Sequence, residues 1–209
     1  MFEPAVVNKG LKVLAKNDVV LARVIRSVGA FTLSPDPGGY EILLRSILSQ
    51  QISVAAARTI RTRLQALLPG GKFSAKNIDA VSDEELQSAG VSRQKSSYLR
   101  HLTTCALDGT INFRRIATAS DEDAIEELIQ VKGIGRWTAQ MFLMFSLGRI
   151  DIFAPDDLGL RNAIHRLYEI PEKLSRAELE LHAEMWRPYR TIASWYLWRS
   201  LDQKTAAKE

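Results

Sequence analysis

A chain of 209 residues with 46% hydrophobic and 25% charged residues can bury a substantial core, as an ordinary globular protein does. Its 28 basic and 24 acidic side chains give a net charge of +4, an excess that is compatible with a nucleic-acid partner without requiring one. The single cysteine, Cys105, excludes an internal disulfide framework and a cysteine-ligated metal cluster, and the three histidines show no metal-ligand spacing.

The first third of the chain has helical spacing. Apolar residues between positions 5 and 28 recur at three to four residues and predict two helices, the second ended by Gly29. The sequence S-P-D-P-G-G at residues 34–39 is typical of a loop, where the chain crosses into a different packing unit. Residues 40–68 predict two more helices, which meet at the polar stretch of residues 49–53.

The middle of the chain predicts a short helix and a longer one. Ser82 and Glu85 have capping-box spacing at the start of a helix over residues 83–89. The helix predicted over residues 93–107 carries Arg93, Lys95 and Arg100. These cations can face phosphates, although a solvated helix face is the more common role of such charges.

A glycine turn follows, in the sequence L-I-Q-V-K-G-I-G-R-W-T-A. Gly133 and Gly135 separate a short helix over residues 120–130 from an apolar helix over residues 137–147, which we expect to be buried on nearly all sides. The amides that open a helix favour an anion such as a phosphate. A G-x-G sequence alone, however, is more often only a tight turn.

Two carboxylates, Asp156 and Asp157, follow Pro155 at the start of an amphipathic helix. An aspartate in this position is most often a helix N-cap. Helices over residues 174–186 and 188–201 complete the chain, and residues 204–209 are expected to form a frayed tail. Since no series of strands is apparent, the predicted fold class is all-α.

The glycine turn, followed by A-P-D-D, resembles the helix-hairpin-helix DNA glycosylases, and in particular the 3-methyladenine DNA glycosylase II branch of alkylation repair. Three further segments match that branch: I-L-S-Q-Q-I-S-V-A-A-A, G-V-S-R-Q-K-S-S-Y-L and W-R-P-Y-R-T-I-A-S-W-Y-L-W. The resemblance implies one glycosylase unit over residues 1–209, in a compact form without an additional N-terminal β domain. Residues 39–148 would form a central helical barrel with the hairpin. Residues 1–38 with 149–209 would form a second subdomain, with the active site in the cleft between the two.

The resemblance also assigns roles to individual residues. The expected catalytic carboxylate is Asp157, and relatives that cut the DNA backbone have a lysine where this chain has Trp137. The resemblance therefore implies a monofunctional enzyme, which excises alkylated purines by base flipping. The remaining assignments are a base pocket of Trp137, Met141 and Trp198, a DNA contact of Gly133, Gly135, Arg136 and Thr138, and a wedge of Gln51 and Ile52.

The implied partner is double-stranded DNA with a damaged base, bound by a monomer with no required cofactor and no side-chain metal site. A monovalent cation can be held at the hairpin by the carbonyls of Ile129, Val131 and Ile134. The sequence has no apolar run of membrane-spanning length and no signal-peptide pattern. We therefore expect no membrane partner and a cytoplasmic, nucleoid-associated location, or a nuclear one in a eukaryote.

Other interpretations of the same residues stay open at this point. A non-catalytic helix-hairpin-helix DNA-binding protein could use the turn without the aspartate. A glycosylase could act on a different lesion, such as an oxidised base or a mismatch, although the chain lacks the lysine and the clustered cysteines. A helical regulator that binds a small ligand is the third alternative. The range of accepted bases stays open too, because Met141 stands where larger relatives have an aromatic residue.

Overall fold

The computed structural model describes residues 2–170 and 173–206, with side chains described up to residue 202. No strand occurs among these residues, and the all-α prediction is confirmed. The chain forms two compact units, one from residues up to 35 with those from 143 onward, the other from residues 36–142. Within the described ranges, no helix combines the length and the apolar character needed to cross a bilayer.

The first unit contains the first and last helices of the described residues. Its helices are α1 (Pro4–Asn17), α2 (Val19–Val28), α11 (Leu158–Leu167), α12 (Arg176–Ala183) and α13 (Arg190–Ala206).

Two predictions for this unit need correction. The single helix predicted over residues 174–186 is α12, which opens with a capping box of Ser175 and Glu178, followed by a separate 3₁₀ turn over Glu184–Trp186. The predicted frayed tail begins too early, because α13 continues to Ala206. Residues 207–209 of that tail lie outside the described residues.

A buried aspartate organises the core of the first unit. Asp18 caps α2, and its Oδ1 accepts the N–H groups of Val20 and Leu21, each at 2.9 Å. Its Oδ2 accepts the indole N–H of Trp186 at 2.8 Å and the hydroxyl of Tyr168. A buried carboxylate is tolerated only when such donors satisfy it. This network therefore joins the N-terminal helices to the segment that precedes α13.

The α-helices of the second unit range from 5 to 15 residues in length. They are α3 (Gly39–Ser49), α4 (Val54–Leu67), α5 (Ala75–Asp79), α6 (Asp83–Ser88), α7 (Arg93–Leu107), α8 (Phe113–Thr118), α9 (Asp121–Leu128) and α10 (Arg136–Phe145), whose last three residues belong to the first unit.

The predicted helices of this unit are found, and the structure adds two more. α5 and α8 span five and six residues, too few for a repeating apolar pattern, and begin at the caps Ser74 and Asn112. The capping box of Ser82 and Glu85 is present, as predicted.

The expectation that α10 is buried on nearly all sides is wrong for one face. Ala139, Leu143 and Met144 are fully buried, but Trp137 is 44% exposed and Met141 is half-buried. Trp137, Met141 and Phe145 are spaced at four residues and therefore share one face of the helix. Large apolar side chains on this face are partly exposed to solvent, which core packing alone does not explain.

Candidate active site and nucleic-acid interface

Asp157 lies at the N-terminus of α11, 9% exposed, and is the N-cap of that helix. Its Oδ1 accepts the backbone N–H of Leu160 at 2.8 Å and the indole N–H of Trp198, also at 2.8 Å. The sequence predicted the cap and placed Trp198 in a base pocket, but gave no sign that the two side chains bond to each other. These two donors hold the carboxylate in one orientation.

Gly159 makes this arrangement possible. A Cβ on Gly159 would lie 3.0 Å from Oδ1 of Asp157 and 3.0 Å from Cδ1 of Trp198. Such contacts would force the carboxylate or the indole to move by a few tenths of an ångström. Glycine within a helix costs stability relative to alanine, so a glycine two residues after Asp157 is a sequence signal of close packing that was not recognised.

Phe145 packs against the indole ring of Trp198 and was not identified from the sequence. Its ring lies 5.7 Å from that of Trp198, at an interplanar angle of 32°. Asp156 differs sharply from its neighbour, since its side chain is exposed and pairs with Arg176 at 3.4 Å. Of the two adjacent carboxylates, only Asp157 is both buried and held by an aromatic N–H.

The structure requires glycine at one of the two hairpin positions but not at the other. Gly133 has φ +85°, and a Cβ there would lie 2.3 Å from Cδ2 of Tyr98, so the fold itself requires glycine. Gly135 has neither a positive φ nor any atom within 4 Å of a built Cβ. The fold would accept a side chain at Gly135, so packing within the protein does not explain this glycine.

Arg136 and Thr138 were both predicted to contact DNA. In the structure, Arg136 is paired with an acidic side chain and Thr138 is buried. The Arg136 guanidinium forms two hydrogen bonds of 2.6 Å with Glu122, and Thr138 is 7% exposed. The prominent feature of this turn is therefore its main chain, which begins α10 immediately after Gly135. The unpaired amides that open a helix are where anions bind in proteins.

The α3–α4 loop contains the predicted wedge. Gln51 is exposed and has φ +55°, a left-handed conformation that a non-glycine residue adopts at a cost of about 1–3 kcal/mol. Ile52 is 37% exposed. An exposed side chain held on strained backbone suits a residue presented to a ligand rather than to the core.

Contacts on the N-terminal side of Gln51 tie this loop to the hairpin and to α7. The amide Nε2 of Gln50 donates to the carbonyl of Gly133 at 2.8 Å, and Nζ of Lys95 donates to the carbonyl of Leu48 at 2.7 Å. Burial lowers the pKa of Lys95 from its ordinary value. In the sequence Gln50 is only part of a polar break between two helices, because a contact across 83 residues leaves no local pattern.

An all-helical fold, a glycine hairpin before a helix and an N-capping aspartate at the start of the next helix are the features of a helix-hairpin-helix protein. The profile of the HhH-GPD superfamily of base excision DNA repair proteins matches residues 44–188. The chain belongs to this family.

Individual relatives place it within that family. DNA-3-methyladenine glycosylase 1 of Schizosaccharomyces pombe is 36% identical over 163 residues, which cover 77% of this chain and 72% of the relative. The crystal structure of a DNA-3-methyladenine glycosidase from Bacillus halodurans superposes with a TM-score of 0.84 at 37% identity, over 94% of this chain and 89% of that one. A 3-methyladenine DNA glycosylase of Schizosaccharomyces pombe in complex with abasic DNA gives a TM-score of 0.80 at 33% identity, over 91% and 95% of the two chains. The resemblance to the 3-methyladenine branch is therefore confirmed.

Proposed function

We propose that this chain is a monofunctional DNA glycosylase that excises alkylated purines of the 3-methyladenine type from duplex DNA and so initiates base excision repair. Its relatives are named DNA-3-methyladenine glycosylases, and this chain is likewise a hydrolase of N-glycosyl bonds. The observation that carries the proposal is the buried Asp157 carboxylate, held by Leu160 and Trp198 at the start of α11.

Asp157 supplies the chemistry. Cleavage of the N-glycosidic bond leaves positive charge on the deoxyribose, and a fixed carboxylate beside that sugar stabilises the charge. The same carboxylate orients or deprotonates the attacking water. Because the hydrogen bonds from Leu160 and Trp198 are already formed, Asp157 needs little rearrangement as the charge develops. An alkylated purine carries positive charge and leaves readily, so the site needs no strong general acid.

Trp137 explains why no lyase step is expected. A backbone-cutting relative needs an amine at this position to form a Schiff base with the sugar, and an indole has no such nucleophile. Lys132 lies five positions earlier, before both hairpin glycines. The product is therefore an intact strand that contains an abasic site.

Aromatic and polarizable side chains would select the base. Trp137, 44% exposed, offers an indole to a cationic, electron-poor purine, a contact of about 0.5–2 kcal/mol. Met141 shares its helix face and adds a polarizable thioether. Trp198 holds Asp157 through its N–H, and its ring is a further aromatic surface for a base in this proposal.

The base must leave the helical stack at a cost of a few kcal/mol, and a wedge lowers that cost by filling the gap. Gln51 is the proposed intercalating residue, with Ile52 beside it. Gln50 is not itself the wedge, but its bond to the Gly133 carbonyl ties the wedge loop to the turn that would bind the phosphate. Insertion and phosphate binding are then linked through one hydrogen bond.

The hairpin would bind the DNA backbone through the main chain of Gly133, Gly135 and the residues that follow. A monovalent cation held by the carbonyls of Ile129, Val131 and Ile134 would add positive charge beside that phosphate. The Val131 carbonyl already accepts the Ile134 N–H at 3.0 Å, and its second lone pair suits such an ion. Among the described residues no cluster of His, Cys, Asp or Glu offers side chains for a metal, so this ion depends on main-chain oxygens. We propose that the protein acts as a monomer.

The test is release of bases from methylated duplex DNA by wild type, Asp157→Asn and Asp156→Asn. Asparagine is as good an N-cap as aspartate, so Asp157→Asn keeps the fold. It should lower the single-turnover rate by about a hundredfold or more, since the charge that stabilises the transition state is lost. Asp156→Asn, the matched control beside it, should excise at close to the wild-type rate.

Three results would contradict the proposal. Absence of base release by wild type, with intact DNA binding, would favour the non-catalytic alternative. Release of oxidised bases or mismatched bases alone would favour a different lesion. Strand breaks that form without heat or alkali would exclude a monofunctional enzyme.

A further inference from the structure

A cleft of about 550 Å³, lined by polar and charged residues, lies in the second unit, outside the residues assigned to the active site and the wedge. It is lined mainly by α7 and by Lys132, the residue that precedes Gly133 in the hairpin. Arg93 and Arg100, two of the three cations that the sequence singled out on α7, line it as well. The third, Lys95, is engaged with Leu48.

The charges in the cleft do not balance. Arg100 is neutralised by Asp83, whose Oδ1 accepts its Nε at 2.8 Å, and its other nitrogens donate to the carbonyls of Ile78 and Val81. Arg93 and Lys132 are exposed, and neither has an ion-pair partner in the part of the chain that the structure describes. The lining therefore carries two uncompensated positive charges.

His101 connects the cleft to the hairpin. Its Nδ1 accepts the backbone N–H of Lys132 at 3.1 Å, so in the neutral ring the proton is on Nε2, which is left as a donor. The same bond fixes the main chain immediately before Gly133. Ser96 also lines the cleft, and its buried hydroxyl has no hydrogen-bond partner among the described residues. Buried polar groups without a partner are uncommon in folded proteins.

We propose that this cleft binds one phosphate group of the DNA backbone, next to the phosphate that the hairpin amides bind. Arg93 and Lys132 would supply the charge, and His101 Nε2 would supply an N–H donor. DNA is favoured over a free anion because Lys132 belongs to both the cleft and the hairpin, so a strand on one passes the other. The inference rests on the proposed function only in taking DNA as the partner.

The first test measures affinity for an undamaged duplex as a function of salt, for Lys132→Ala and Arg93→Ala. Each should weaken binding by about threefold to tenfold at moderate salt and reduce the slope of log affinity against log salt by about 1. Lys12→Ala and Arg23→Ala remove the same charges from exposed positions on α1 and α2 and should leave the slope unchanged. Equal slopes for cleft and control variants would overturn the proposal.

The second test identifies the phosphate. Methylphosphonate, which lacks the charge, is placed at single positions of the duplex, and binding is measured with wild type and with Lys132→Ala. At one position, the methylphosphonate should weaken binding by wild type. The same substitution should have little effect on binding by Lys132→Ala. If the effects of Lys132→Ala and of methylphosphonate multiply at every position, the cleft contacts no phosphate. Competition by inorganic phosphate that is equal for wild type and Lys132→Ala would also overturn the proposal.

These measurements are independent of catalysis. If the protein releases no alkylated base but shows the expected phosphate pattern, the glycosylase proposal is refuted and phosphate binding by the cleft is supported. If it releases bases but the cleft variants show no change in salt slope, the glycosylase proposal is supported and phosphate binding by the cleft is refuted.

Discussion

The hairpin and the Asp157 site differ in the atoms that organise them. The main chain organises the hairpin, whereas contacts between side chains organise the Asp157 site. At the hairpin, the decisive features are a positive φ at Gly133, the lack of room for a side chain there beside the Tyr98 ring, and the open space at Gly135, which all concern the path of the main chain. At Asp157, the decisive features are contacts between side chains, in which Trp198 donates to the carboxylate and Phe145 packs against the indole.

This difference follows from what each region would do. A DNA backbone repeats the same phosphate at every step, so main-chain amides bind it without reading the sequence. Catalysis needs a charge in one fixed place, and only a side chain held by other side chains supplies it. Damage to the hairpin should therefore weaken binding to all DNA, whereas damage to the Asp157 site should slow excision and leave binding intact.

The largest effect should come from Gly133→Ala. An alanine there would be strained at φ +85° and would contact Tyr98 at 2.3 Å, so we expect a loss of about 2–4 kcal/mol in the free energy of unfolding and a nearly complete loss of DNA affinity. Gly135→Ala is the matched comparison. It should leave stability within about 0.5 kcal/mol but lower DNA affinity about tenfold, because its methyl group would meet only the ligand. Urea denaturation and fluorescence anisotropy measure the two effects.

Wild-type binding by Gly135→Ala would show that DNA does not approach this glycine. A loss of stability in Gly135→Ala as large as that in Gly133→Ala would show that both glycines serve the fold.

The same contrast explains what the sequence could predict. The hairpin was identified because its glycines, the following helix and the spacing to Asp157 are local features that a resemblance can carry. Most helices were identified because their apolar periodicity extends over ten or more residues, whereas α5 and α8 were too short for one. The contacts of Gln50 with Gly133 and of Trp198 with Asp157 join residues 83 and 41 positions apart. No local pattern records them.

Trp198→Phe should have the next largest effect and should act on excision alone. Phenylalanine keeps an aromatic ring beside Phe145 but removes the donor to Asp157. A hydrogen bond to a charged group is worth about 1.5–3 kcal/mol, so the single-turnover rate should fall by about ten- to a hundredfold. Affinity for undamaged duplex should not change. Trp195→Phe, on the same helix but packed against Phe31 and Tyr196, is the control and should excise normally.

A wild-type rate in Trp198→Phe would mean that the indole N–H does not support the carboxylate during the reaction. An equal fall in Trp195→Phe would point to a general effect of altering α13.

The smallest effect, and the sharpest separation of stability from activity, should come from Gly159→Ala. Alanine has a higher helix propensity than glycine, which offsets the cost of the close contact, so the free energy of unfolding should stay within about 1 kcal/mol of wild type. Its methyl group, however, would lie 3.0 Å from both Asp157 and Trp198 and displace one of them. Because a displacement of an ångström can cost about a hundredfold in rate, a shift of a few tenths should slow excision by about three- to tenfold.

Asn162→Ala, an exposed change on the same helix, controls for altered helix propensity and should leave the rate unchanged. Thermal denaturation and single-turnover kinetics on one methylated duplex measure both quantities. A Gly159→Ala protein that is more stable and equally fast would show that the distance between Asp157 and Trp198 can vary without cost to the reaction.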